Sequence, residues 1–139
     1  MEFLPGLAIS GSALSAQKLR LDLVANNIAN INTTRTEEGG PYRKHMPVFE
    51  EKLQETMEEG FKGRGVKVSA IIQDDSPPRL EYNPEHPDAN EEGFVAMPNI
   101  NIVDEMVDMI TATRAYQANV TALETAKQMA LKALEIGRG

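Results

Sequence analysis

Residues 99–136 read NINIVDEMVDMITATRAYQANVTALETAKQMALKALEI, a stretch without glycine or proline. Apolar side chains recur in it at alternating spacings of three and four residues, which is the pattern of an amphipathic helix. Asn101 can cap its start, and Asp104, Glu105 and Asp108 lie in the first turns, where the helix dipole favours negative charge. A helix of this length spans about 57 Å, more than a small domain can cover. The stretch therefore predicts a long helix that pairs with another helix.

The N-terminal end predicts that partner, an amphipathic helix over residues 7–31. Its stripe holds Leu4, Leu7, Leu14, Leu21 and Ile28. The stripe of the C-terminal helix holds Ile102, Met106, Met109, Tyr116, Val120, Leu123 and Leu134. One helix ends and the other begins at the two ends of the same intervening segment, so we predict that they run antiparallel as a coiled coil. Ile28 is predicted opposite Met106, which places Leu7 near Lys127.

The middle of the chain, residues 37–98, predicts a small β-rich unit. Alternating apolar residues favour strands at 66–72, 79–82 and 93–97, and a further strand at 42–49 is interrupted by Pro47. Residues 50–59 fit either a short helix or a charged loop, and Gly60, Gly63 and Gly65 are expected to break the chain. The predicted fold class is therefore α+β, with the β-rich domain 37–98 inserted between helical segments 1–36 and 99–139.

The charge distribution excludes several classes of function. The formal net charge of −7 is concentrated in residues 37–98, while both ends are close to neutral. An acidic middle, most simply a solvated surface, argues against nucleic-acid binding, which requires a basic footprint. The chain has no cysteine, which excludes disulfides and thiol catalysis. It has no apolar run long enough to span a membrane, and its N-terminus lacks the features of a cleaved secretory signal.

No motif predicts catalysis or cofactor binding. Glu85, His86 and Asp88 could in principle bind a metal, but the spacing fits a proline-ordered turn better, and His45 has no evident partner. The glycines of residues 60–65 match neither a dinucleotide-binding nor a nucleotide-phosphate loop. We therefore expect a protein that is not an enzyme and that has no metal and no cofactor.

Two motifs at opposite ends of the chain resemble a known family. The first helix ends in an asparagine-rich segment at 27–33, NIANINT, and the second contains RAYQAN at 114–119. Both resemble the bacterial flagellar axial proteins, the group of rod and hook subunits. The segments GVKV at 65–68, HPDAN at 86–90 and GFVAMPN at 93–99 are similar to those of the small proximal-rod proteins within that group.

The resemblance implies a structural subunit of the flagellar basal body. It implies assembly through the terminal helices with copies of itself and other rod proteins, and export by the type III apparatus without a cleaved signal. The rod would cross the periplasm and transmit torque. Asn27 and Asn30 join the apolar stripes as expected assembly residues, because their amides can bond backbone groups where the helix ends; substituting either is expected to harm assembly more than substituting Asn90. The alternative is a soluble coiled-coil adaptor or export chaperone of a type III system.

Overall fold

The computed structural model describes residues 3–54 and 62–138, and it has an α+β fold as predicted. In the described part of the chain, one long helix precedes four strands and a second long helix follows them. The elements in chain order are α1 (Phe3–Ala29), β1 (His45–Gln54), β2 (Lys62–Gln73), β3 (Arg79–Tyr82), β4 (Phe94–Met97) and α2 (Ile102–Arg138).

The two helices pack against each other in antiparallel orientation. Near the end of α1, the Asn27 amide lies 3.3 Å from a carboxylate oxygen of Glu105 in the first turns of α2. At the other end, Leu7 and Lys127 line the same hollow. This confirms the predicted proximity of Leu7 and Lys127, and the Asn27–Glu105 contact lies one residue away from the predicted Ile28–Met106 level on each helix.

The helix boundaries follow local sequence chemistry. α1 begins earlier than predicted, with Pro5 in its first turn, where a missing N–H removes no helical hydrogen bond. It ends two residues earlier than predicted, and the Asn30 side chain bonds the Asn26 carbonyl at 2.8 Å. As predicted, Asn101 caps α2: its side-chain oxygen accepts the Val103 N–H at 2.9 Å.

The strands form two separate antiparallel hairpins. β1 pairs with β2, with irregularities between Val48 and Phe49 and between Glu51 and Leu53. β3 pairs with β4 from Arg79–Met97 to Tyr82–Phe94. Among the described helices and strands, the β1–β2 hairpin packs along α1, whereas α2 packs against α1 alone.

Some predicted details of the middle segment were wrong. Residues 50–54 continue strand β1 rather than forming a helix or loop, and residues 55–61, including Gly60, lie outside the described residues. Gly63 and Gly65 do not break the chain, because β2 runs through both of them. Pro47 does not interrupt its strand either, since it is paired with Ile71 in the hairpin.

The core is small, and its side chains come from α1, α2, β4 and the segment between β4 and α2. Its buried apolar side chains are Ala16, Leu23, Val24, Val95, Met97, Ile100 and Ala112. Within the described part of the chain, neither helix carries an apolar stretch that could cross a bilayer.

Candidate assembly site

The buried seam between the helices is polar at one end. Asn27 and Glu105 are the buried polar residues of the described chain, at 1% and 0% exposure respectively. Burial of a carboxylate is unfavourable unless charge and hydrogen bonds compensate it. The groups that surround these two side chains therefore determine whether their burial is stable.

Asn27 uses its whole amide group. Its oxygen accepts the His45 N–H and the Tyr42 hydroxyl, each at 3.0 Å. Its nitrogen donates to the His45 carbonyl at 2.9 Å and to Glu105 at 3.3 Å. One side chain of α1 thus fixes the start of β1 and the first turns of α2, which confirms the prediction that Asn27 bonds backbone groups where the helix ends.

Glu105 receives its charge compensation from the segment that precedes β1. The Lys44 ammonium lies 2.7 Å from Oε1 of Glu105, and the Lys44 side chain is 24% exposed. The ion pair is therefore buried on the Glu105 side and reaches water on the Lys44 side. We call Asn27, Lys44 and Glu105 the polar cluster.

Tyr42 and His45 complete the surroundings of the polar cluster. The Tyr42 hydroxyl donates its proton to Asn27, so it can only accept a hydrogen bond from His45, whose Nδ1 lies 2.9 Å away. The His45 ring therefore carries a proton on Nδ1 and donates it to the Tyr42 hydroxyl. Burial raises the pKa of Tyr42 above its ordinary value of 10.0, and the nearby Glu105 carboxylate raises it further. The hydroxyl therefore remains a donor throughout the neutral and moderately basic range.

A second contact fastens the β1–β2 hairpin to α1. The Ser12 hydroxyl donates to the Ile9 carbonyl at 2.7 Å and accepts the Val66 N–H at 3.0 Å. Gly65 lies directly beneath it with φ of +109°, and a Cβ there would lie 2.2 Å from the Ser12 Oγ. The absence of a side chain at Gly65 is what allows this approach.

A third contact ties the loop after α1 to the turn that carries His86. The Thr34 hydroxyl donates to Asp88 at 2.7 Å, and Arg35 forms an ion pair with the same carboxylate. The hydrogen bond from Thr34, followed by that from Arg35, holds the pKa of Asp88 below its ordinary value of 3.8. The contact of Asp88 with Thr34 and Arg35 therefore stabilises the folded chain above about pH 4, and this stabilisation is lost as the pH falls through the lowered pKa of Asp88.

Most of the predicted stripe residues are half-buried, and some face outward. Leu7, Leu14, Leu21, Ile28, Met109, Tyr116, Val120 and Leu123 are half-buried, as is Asn30. Ile102, Met106 and Leu134 are exposed. Leu4 lies in the first turns of α1, and its side chain is outside the part that the structure describes. The buried residues of the two helices lie beside the predicted stripes; they are Ala16, Leu23, Val24, Asn27, Glu105 and Ala112.

The exposed apolar residues of α2 form a second stripe. Val103, Met106, Val107 and Ile110 are spaced by three and four residues and are each more than half exposed. Such spacing places them on one side of a helix. We call these four residues the outer stripe; α1 does not cover it.

Several structural residues were missed by reading the sequence. Glu105 was assigned only to the helix dipole, although it lies seven residues before the buried Ala112 and thus shares its face. No sequence pattern indicated a structural role for Tyr42 or Lys44, which are notable in the sequence only because they lie close to His45. Asn90 also bonds backbone groups, because its side-chain oxygen accepts the N–H groups of Glu92 and Phe94 at 3.0 and 2.8 Å.

The turn at 85–88 is a local structure and brings together no ligand set. His86 Nδ1 accepts the Asp88 N–H at 3.0 Å. Across residues 3–54 and 62–138 there is no group of three or more histidine or acidic side chains arranged to bind a metal.

Each of the two helical segments matches a family model of flagellar basal-body rod proteins. Residues 7–35 match the family model described as flagella basal body rod protein, and residues 91–136 match the C-terminal model of the flagellar basal body rod proteins FlgEFG. These ranges contain most of α1 and nearly all of α2, the elements that form the seam.

Relatives of known identity match over almost the whole chain. The flagellar basal-body rod protein FlgC of Borreliella burgdorferi is 40% identical over 153 aligned positions that cover 100% of both chains. That of Bacillus subtilis is 46% identical, covering 95% of this chain and 96% of its own. That of Yersinia enterocolitica is 45% identical, covering 94% of each. The chain therefore belongs to the FlgC family of flagellar basal-body rod proteins, which are structural subunits and not enzymes.

Proposed function

We propose that this chain is a building block of the proximal part of the rod and that its terminal helices are the assembly surfaces. The observation that carries the proposal is the outer stripe, which the single chain leaves in water. Exposed apolar area of this kind, continuous along a helix, is typical of surfaces that pack against other chains.

The packing of the single chain leaves one helix available. α1 is covered on one side by α2 and on another by the β1–β2 hairpin, whereas α2 has α1 as its neighbour among the described elements. Val103 is 61% exposed and Val107 58%. Neighbouring subunits, either copies of this chain or other rod proteins, would bury these side chains.

The far end of α2 offers a second surface. Because Leu7 lies near Lys127, the start of α1 at Phe3 lies near the level of Leu131, so residues 132–138 of α2 extend past α1 by about 10 Å. Leu134 and Ile136 are exposed there, and Met129 and Leu131 are exposed just before it. We propose that this overhang also contacts a neighbour, while α1 and α2 pair as an antiparallel coiled coil in an inner layer and residues 37–98 face outward.

We also propose how the subunit leaves the cytoplasm and where it lies in the flagellum. The subunit is exported from the cytoplasm by the type III apparatus without a cleaved signal peptide, and it lies in the rod that crosses the periplasm and transmits motor torque. Its partners are rod proteins and the export apparatus. The adaptor alternative has no support from the relatives, which are rod proteins over nearly their full length.

Val107→Asp is expected to abolish assembly without unfolding the chain. Because Val107 is exposed in the single chain, a carboxylate there meets water, whereas in a packed rod it would be buried without a partner. We expect cells carrying this variant to form at least about tenfold fewer basal bodies with complete rods, since burying an unpaired charge costs several kcal/mol. The measurement is electron microscopy of isolated basal bodies, with motility as a second readout.

Asn83→Asp is the matched control, since Asn83 is an exposed polar position in the unit 37–98, away from the outer stripe. It should preserve both assembly and motility. The two purified variants should have equal helix content by circular dichroism. Export of each variant is measured as the amount of the subunit in culture medium from which cells and basal bodies have been removed. Normal rods in the Val107→Asp strain would exclude the outer stripe as an assembly surface.

A further inference from the structure

The apolar positions of the two helices do not determine how far one helix is shifted along the other. Leu7, Leu14, Leu21 and Ile28 repeat at intervals of seven residues in α1. Met109, Tyr116, Leu123 and Ala130 do the same in α2. A shift by seven residues, about 10 Å along the axis, therefore brings apolar side chains opposite apolar side chains again.

The polar cluster is not repeated at that interval. Seven residues after Glu105 lies the buried Ala112, and seven residues before Asn27 lies Arg20. A shift by one heptad would thus carry the Glu105 carboxylate about 10 Å away from both Asn27 and Lys44. Among the heptad-related pairings, only the observed one places Glu105 beside both Asn27 and Lys44.

We infer that Glu105 acts as a register lock, which selects one of the heptad-related pairings of α1 and α2. Its two partners, Asn27 and Lys44, lie before the β1–β2 hairpin, so the lock also couples helix pairing to the docking of the segment that leads into β1. The inference does not depend on the proposed place in the rod, because the polar cluster lies within one chain.

The energetics of buried ion pairs fit a role in selecting structure. Removing both charges in favour of apolar side chains of similar size is often neutral or stabilising, whereas leaving one charge unpaired is strongly destabilising. A buried polar group that fixes helix register is the best-attested use of such pairs. The lock therefore predicts that the double variant Lys44→Met/Glu105→Leu folds but loses its unique register.

Three cysteine pairs report the register in the purified full chain, which has no cysteine of its own. Leu14→Cys with Val120→Cys reports the observed pairing, because Leu7 lies near Lys127 and positions 14 and 120 are each one heptad inward. Leu14→Cys with Lys127→Cys, and with Thr113→Cys, report a shift of one heptad in either direction. Disulfides formed within monomers are quantified by mass spectrometry after mild oxidation.

The parent chain should form the 14–120 disulfide almost alone. In Lys44→Met/Glu105→Leu, the ratio of this disulfide to the shifted ones should fall at least about tenfold, since the penalty for an unpaired buried charge no longer excludes the shifts. Arg20→Met/Asp108→Leu is the matched control: this second ion pair between the helices is partly exposed, at 22% and 36%, and its removal should leave the ratio unchanged.

Three outcomes would overturn the inference. The first is a folded Lys44→Met/Glu105→Leu variant that still forms the 14–120 disulfide alone, because the register would then be fixed elsewhere. The second is loss of helical circular dichroism in that variant, which would make the polar cluster a requirement for folding rather than for register. The third is an equal loss of selectivity in the Arg20→Met/Asp108→Leu control.

Discussion

Gly65→Ala is expected to destabilise the protein by about 3 kcal/mol or more, because it combines backbone strain with a steric clash. Gly65 has φ of +109°, and a Cβ would lie 2.2 Å from the Ser12 Oγ and 3.3 Å from the Ile9 Cα. The hydroxyl must move away, which also removes its hydrogen bond from the Val66 N–H. The measurement is the free energy of unfolding in urea.

Gly40→Ala separates strain from contact. Gly40 has φ of +76°, and a Cβ there meets no atom within 4 Å, so only the backbone conformation is penalised, by about 1–2 kcal/mol. The double variant Ser12→Ala/Gly65→Ala should recover part of the loss, because the nearest clashing atom is gone. If Gly65→Ala and Gly40→Ala lose the same stability, the hairpin does not approach α1 at Ser12.

Asn27→Leu is expected to lose about 3–5 kcal/mol of stability. The substitution leaves the His45 N–H and carbonyl without their partner, along with the Tyr42 hydroxyl and one bond to Glu105. Each buried polar group left unpaired costs about 1–3 kcal/mol, although these costs do not add fully. Urea denaturation of the purified chain measures the loss.

The matched control is Asn30→Leu, one turn further along. The Asn30 amide bonds the Asn26 carbonyl and accepts the Thr33 hydroxyl, both near solvent, so water can replace it and the loss should stay below about 1 kcal/mol. The expectation that substituting Asn30 harms assembly more than substituting Asn90 stays a prediction, although Asn90 also bonds two backbone groups within its own turn. Equal losses at Asn27 and Asn30 would contradict the role given to the polar cluster.

The architecture could be predicted from the sequence because it rests on long, regular patterns. The residues from Asn101 to Ile136 carry a cap, a dipole-compatible first turn and a heptad pattern that is apolar except at Thr113 and Lys127, and the observed helix begins at Ile102. The antiparallel orientation could be predicted because one intervening segment connects the end of α1 to the start of α2. Both predictions use only the geometry of a helix and the direction of the chain.

The polar cluster could not be predicted, because its residues come from three separate segments. Glu105 has the sequence signal of a first-turn acid, and its complete burial arises only where α1 and the segment at Lys44 meet it. The prediction that Gly65 breaks the chain was wrong for a similar reason, since the residue that Gly65 contacts is distant in the sequence. Its positive φ serves a contact with Ser12, 53 residues earlier in the chain, which no local pattern contains.

Electron cryomicroscopy of intact basal bodies will show whether the terminal helices of this chain are its assembly surfaces. The map should show α1 and α2 paired within each subunit, with Val103, Met106, Val107 and Ile110 buried against a neighbouring subunit and residues 37–98 on the outside of the proximal rod. Assembly through the terminal helices is contradicted if those four side chains face solvent in the assembled rod, or if subunits contact each other mainly through the β1–β2 and β3–β4 hairpins.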